Sequence, residues 1–150
     1  MTQETAKPAK SARHRARELA LQGLYQWRVA GSSVSQIQKA TLDEKSVGRF
    51  DVELFNQLLR GVAANSEELS ELITPNLDRP LAELSPIECS VLLLATYELK
   101  HQPEVPYRVV INEAIELTKT FGGADGHKYV NGVLDKLAAV LRAAEVNANS

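Results

Sequence analysis

This 150-residue chain reads as an all-α protein. Three observations predict that class. Apolar residues recur at spacings of three and four along most of the length. No segment of useful length alternates apolar with polar residues. The β-branched run Val109-Val110-Ile111 lies inside a helical pattern. Six or seven helices are expected.

The opening MTQETAKPAK is polar, contains Pro8 and lacks periodicity, so residues 1–10 are expected to form a mobile basic arm. From Ser11 to Ala30, Ala16, Leu19, Ala20, Leu24 and Trp27 mark one helical face, which ends at Gly31-Ser32-Ser33. A short helix follows over Val34–Thr41. Asp51 is placed to cap a long helix carrying Leu54, Phe55, Leu58, Leu59 and Val62. A break or bend is expected near Asn65-Ser66, whose side chains compete for backbone hydrogen bonds. Thr74-Pro75-Asn76 is a turn, and Asp78-Arg79-Pro80 reads as a cap followed by proline in a first helical turn.

Ser85-Pro86-Ile87-Glu88 has the form of a capping box, worth ~1 kcal/mol. The helix it opens is apolar nearly all round (Ile87, Val91, Leu92, Leu94, Ala95), so it is expected to be the most buried. Gln102-Pro103-Glu104-Val105-Pro106 interrupts the chain. Val110, Ala114, Leu117 and Phe121 then trace a helix that stops at Gly122-Gly123. Asp125 is placed to cap the last helix, lined by Val130, Val133, Leu134, Leu137 and Leu141. Residues 11–144 are read as one domain and residues 145–150 as a flexible tail. Gly23 and Gly132 each cost roughly 1 kcal/mol inside a helix and mark places where a backbone or ligand comes close.

Composition narrows the function. A chain of this size buries roughly 70% of its unfolded surface. Its start has no apolar signal core, and no apolar run exceeds that of Val91–Ala95, which is far too short to span a bilayer. A single cysteine, Cys89, excludes an internal disulfide and fits a reducing cytoplasm. The net charge of −2 hides a segregated molecule. Residues 1–30 hold six Lys/Arg against two Asp/Glu, and residues 31–98 hold five against eleven. A cationic start that runs into a core helix suits a polyanion, of which nucleic acid is the commonest.

Catalysis has little support. Cys89 lies in the helix expected to be buried, with no neighbour that would make it a thiolate. His14, His101 and His127 are far apart and lack metal-ligand spacing. Gly122-Gly123-Ala124-Asp125-Gly126 lacks the lysine and strand of a phosphate loop, so it reads as a turn between helices. Neither cofactor nor metal is expected. His127-Lys128-Tyr129 is a second cationic–aromatic cluster, and a tyrosine beside a lysine and a glycine-rich turn offers a stacking surface for an unpaired base. From the residues alone, three classes stay open: an RNA-binding adaptor, a protein-binding helical scaffold without intrinsic RNA specificity, and a helix-turn-helix DNA binder. The last lacks a basic recognition helix.

Four segments carry a family resemblance: ARHRARELALQGLYQW at 12–27, SPIECSVLLLATYEL at 85–99, VPYRVVINEAIELTKTFGG at 105–123 and DGHKYVNGVLDKL at 125–137. Together they resemble the NusB family of bacterial transcription antitermination factors, collinearly from about residue 12 to 142. The resemblance implies two small helical bundles packed together and a non-enzymatic role. It implies binding to a boxA element of single-stranded RNA in nascent transcripts, rRNA leaders included. NusE, a ribosomal protein of the small subunit, is the implied partner, with other Nus factors on the elongation complex. By position it implies RNA contacts for Arg13, Arg15, Arg17, Asp125, Lys128 and Tyr129, and a NusE contact for Tyr25 and Glu88. Ala82 stands where a close relative has glutamate, leaving Glu83 alone there.

Overall fold

The computed structural model describes residues 10–148, and in them the sequence folds into eight α-helices with no strand. The all-α expectation holds, with one or two helices more than expected. Residues 1–9 of the expected arm lie outside the described residues.

Helix α1 (Ala12–Tyr25) starts where the Ser11 hydroxyl accepts the His14 N–H at 3.0 Å. Its last turn widens into a π-helical turn over Gln26–Ala30, which Gly31 ends at φ 73°, a left-handed conformation that glycine adopts without strain. Helix α2 (Val34–Asp43) opens with a reciprocal box in which Ser33 and Gln36 each bond the other's backbone N–H. Asp51 caps α3 (Val52–Ala64) as expected, accepting from the Leu54 N–H at 2.9 Å. The expected break falls at Asn65, where φ is −115° and the side-chain amide bonds the Gly61 carbonyl at 2.7 Å; α4 (Ser66–Ile73) follows.

Two short 3₁₀ turns, Thr74–Asn76 and Leu81–Glu83, connect α4 to α5 (Pro86–His101). Asp78 caps neither of them; Pro80 precedes the second, and the Asp78 carboxylate is engaged elsewhere. The Ser85 box is only half formed. Its hydroxyl accepts from the Glu88 N–H at 3.1 Å, but the Glu88 carboxylate accepts from that same hydroxyl at 2.8 Å rather than from the Ser85 backbone. Helices α6 (Tyr107–Phe121) and α7 (Gly126–Leu141) complete the second bundle, and α8 (Ala143–Ala148) ends the described chain.

As expected, α5 is the most buried element, with ten residues from Cys89 to Leu99 inside. It packs on α1 and α3 from one bundle and on α4, α6 and α7 from the other, while α1 with α3 and α6 with α7 make the closest pairs. Gly23 sits where a Cβ would meet Ile37 Cγ2 at 2.9 Å and Leu59 Cδ1 at 3.2 Å, which is why α1 approaches α2 and α3 so closely.

Of the expected tail, residues 145–148 lie in α8, with Glu145 held by Arg142, and residues 149–150 lie outside the described residues. Arg142 is buried and donates to the carbonyls of Leu99 (2.7 Å), Gln102 (3.0 Å) and Glu98 (3.2 Å); the last two also accept backbone N–H groups, whereas Leu99 faces Pro103, which has none to give. Its other nitrogen holds Glu145 at 2.6 Å, and Glu145 accepts the Tyr107 N–H at the start of α6 at 2.8 Å. One arginine and one glutamate thus close both ends of the α5–α6 connection.

Candidate nucleic-acid interface

Each cation at the start of α1 faces a carboxylate. Lys10 Nζ lies 2.8 Å from Glu18 Oε2, and Arg15 donates to Glu18 Oε1 at 3.1 Å and to the Val47 carbonyl at 3.2 Å. Burial opposes charge on Glu18, yet the bonds from Lys10 and Arg15 outweigh it and hold its carboxyl below the usual range. Arg13 is half exposed and 3.7 Å from Asp51. His14 Nδ1 lies 2.5 Å from Glu113 Oε2.

Arg17 departs from its expected place at the RNA. It is 2% exposed, and its guanidinium donates to both Glu98 oxygens at 2.8–3.2 Å, with Glu113 at 4.0 Å. Burial works against its charge, but the Glu98 bonds and the carboxylates around it more than offset that and raise its pKa. The physical reason is spacing. Arg17 precedes Ala20, Leu21 and Leu24 by three, four and seven residues, so it shares their core-facing stripe. Its partner Glu98 occupies the same kind of position on α5, after Val91, Leu94 and Ala95.

The turn between α6 and α7 holds the second cluster. Asp125 makes no side-chain cap; it is 84% exposed and 3.7 Å from the equally open Lys128 Nζ. Tyr129 is half-buried against the core. Its hydroxyl donates to Asp78 Oδ1 at 2.9 Å and accepts the Asp78 N–H at 3.3 Å. Arg79, a residue the sequence reading assigned only to a cap, lies with its guanidinium carbon 4.9 Å from the centre of the Tyr129 ring. Asp78 grips the same guanidinium at 2.8 and 3.2 Å. The Arg79 bonds first, and the Tyr129 hydroxyl second, bring the Asp78 carboxyl down to about 2. Beside the ring a groove of about 300 Å³ is lined by Asn76, Lys128, Gly132 and Lys136. Gly132 has no neighbour within 4 Å of a Cβ position, so no protein backbone approaches it.

The expected partner residues lie to one side. Tyr25, 39% exposed at the end of α1, borders an apolar groove of about 410 Å³ with Leu21, Gln22, Ile87 and Phe121. Glu88, next to Ile87, lies over the first residue of α7, because a Cβ on Gly126 would fall 3.4 Å from its Cδ. The structure therefore joins Tyr25 and Ile87 in one groove, and Asp125, Lys128 and Tyr129 in one corner. Arg13 and Tyr25 mark opposite ends of α1, about 18 Å apart along its axis.

Little here could run a reaction. Cys89 is buried, and burial pushes its thiol pKa up. Among the described residues no cluster of His, Cys, Asp or Glu could hold a metal ion, and no helix is long and apolar enough to cross a membrane.

Comparison with known proteins decides the family. The sequence profile of the NusB family matches residues 14–139. The chain belongs to the NusB family. It is 53% identical over 146 residues to the transcription antitermination protein NusB of Dechloromonas aromatica, covering 97% of this chain and 90% of that one. Among solved structures it resembles T. maritima NusB at a TM-score of 0.77 and 33% identity, over 88% of this chain and 94% of that one. It also resembles a chain from a complex of the antitermination factors NusB and NusE with dsRNA (TM-score 0.76, 26% identity, 84% and 95% covered). The family places the chain among transcription antitermination factors, which are adaptors and not enzymes.

Proposed function

We propose that this chain is a cytoplasmic adaptor that binds boxA-type single-stranded RNA in nascent transcripts, rRNA leaders included. It does so together with NusE, within an elongation complex that carries other Nus factors. The observation that carries this reading is the corner at the head of α7. There Lys128, Lys136 and Tyr129 line an open groove of mixed polarity, with Asp125 beside Lys128, a setting for an unpaired base and its phosphates. Arg13 and Arg15 supply phosphate contacts from the start of α1, and Arg17 supplies none. Tyr25 and Glu88 belong to the NusE side, where an apolar groove meets an acidic side chain suited to a basic protein. The solved relative bound to NusE and dsRNA supports the pairing of protein and RNA partners. Single strands are preferred here because a splayed base, unlike a paired one, reaches an aromatic ring.

The alternative, a protein-binding scaffold without RNA specificity, draws on the carboxylates that face Lys10, Arg13, Arg15 and Arg17. Fluorescence anisotropy of labelled boxA RNA, a scrambled strand and a duplex, each with and without NusE, separates the two. The adaptor prefers boxA, and more so with NusE; the scaffold shows no preference. In the same assay Tyr129→Ala should cost roughly 1–3 kcal/mol of RNA binding. Tyr129→Phe should cost less, and Glu88→Lys should weaken NusE capture.

A further inference from the structure

We propose that Arg79 is a base-stacking residue, its guanidinium forming the outer layer of a two-layer platform whose inner layer is the Tyr129 ring. This rests on the RNA-binding reading of the α7 corner and adds to it the residue that a base meets first.

Arg79 stands between an incoming base and one face of the Tyr129 ring. One face of the ring is already covered, with the Arg79 guanidinium carbon 4.9 Å from its centre. That gap cannot admit a base, which needs about 3.4 Å on each side when stacked. The ring is also packed against the core, and its hydroxyl is tied twice to Asp78. Arg79, by contrast, remains about half exposed. Its plane is fixed by the two-point grip of Asp78, so the conformational cost of ordering a long side chain is met before RNA arrives. A planar guanidinium held against an aromatic ring is a surface on which unpaired bases stack. Asp78 serves both layers, holding the Arg79 fork and the Tyr129 hydroxyl with one carboxylate.

The pairing with Asp78 also dictates what Arg79 does not do. Its charge is already neutralised locally, so its contribution comes from stacking rather than from phosphate attraction. That separates it from Arg13 and Arg15 in a salt titration.

The experiment measures binding of a fluorescein-labelled boxA RNA in the presence of NusE at several salt concentrations, for the full chain and for Arg79→Ala, Arg79→Lys and Asp78→Asn. A parallel series uses RNA with single 2-aminopurine substitutions, whose fluorescence falls on stacking. Melting curves check that these exposed substitutions leave the fold intact. Arg79→Ala and Arg79→Lys should each weaken binding about tenfold, lysine failing because it keeps the charge but loses the plane. The log–log salt slope should stay unchanged, and one 2-aminopurine position should lose its quenching in both. Asp78→Asn should fall between wild type and Arg79→Ala. Wild-type affinity in Arg79→Lys overturns the proposal. So does a slope reduced by about 0.7 in Arg79→Ala, which marks a phosphate contact. Tighter binding by Arg79→Ala also overturns it, since the side chain would then be a cover over Tyr129. If the wild-type protein itself does not distinguish boxA RNA from a scrambled strand, the RNA-binding reading falls and this inference with it; wild-type specificity with indifferent Arg79 variants removes the inference alone.

Discussion

Arginines 13, 15 and 17 are spaced two apart, and on a helix each successive one is turned by about 200° from the last. Arg15 therefore points away from Arg13 and Arg17, which share a face four residues apart and are separated by burial instead. Arg15 points to the Glu18 and Val47 side, Arg13 to Asp51, and Arg17 into the core against Glu98. Their substitutions should separate accordingly. Arg17→Ala strands the Glu98 carboxylate in the interior and should cost about 3–5 kcal/mol of stability in chemical denaturation. Arg13→Ala with Arg15→Ala should leave the melting curve nearly unchanged and lower the log–log salt slope for single-stranded RNA by ~0.7 per lost contact. A stable Arg17 variant would contradict the buried pair, and an unchanged slope would remove Arg13 and Arg15 from the interface.

Among the elements, the sharpest test concerns how α5 ends. Arg142 donates to three carbonyls there, and for that of Leu99, four residues before Pro103, no backbone N–H can replace it. Arg142→Met keeps much of the apolar stem and deletes the donors, so it should lose roughly 1.5–3 kcal/mol in the same denaturation experiment. A loss within error would mean that water satisfies those carbonyls. This residue also shows where sequence reading stops. Helical spacing, Asp51, Pro86 and Gly31 are local signals, and the elements they predict are present. The Ser33–Gln36 box is an equally local signal, a serine followed three residues later by a glutamine. Arg142 was not legible, because its purpose depends on carbonyls some forty residues earlier that only the packed fold brings near. Asp125 and Asp78 fail as caps for a related reason. Each has the right residue type for a cap, yet the Asp78 carboxylate is taken by Arg79 and Tyr129, the latter fifty-one residues away. The chemistry of the α7 corner was thus half visible: Lys128 and Tyr129 lie together in the sequence, while the contact that covers the ring comes from the α4–α5 connection. Arg17 was readable in principle, since its spacing from Leu21 and Leu24 placed it on the buried stripe.

For the molecule as a whole, charge is arranged in pairs, and that sets the response to acid. Glu18, Asp78 and Glu145 all have carboxyls held below their usual values by bonds to cations, hydroxyls or backbone N–H groups. A group whose folded pKa is depressed stabilises the fold above its unfolded pKa and loses that contribution as pH falls through the folded value. Stability should therefore be level from pH 8 to about 5 and decline below about 4.5, which a series of melting curves would reveal. The Asp78 link should be among the last to fail, since its carboxyl stays ionised down to about 2. An unaltered melting temperature at pH 3 would show that these pairs contribute nothing.

The position of α5 against helices of both bundles has a kinetic meaning as well. Neither bundle can come apart without uncovering apolar residues of α5, the most buried helix of the fold. The backbone amides of Val91 to Ala95 should then exchange with deuterium only through global unfolding, at one shared rate that follows denaturant as the whole protein does. Those at the head of α7, beside the open turn, should exchange through small local fluctuations that denaturant barely changes. A molecule divided in this way can let its α7 corner adjust to an RNA strand while the rest of the fold stays closed.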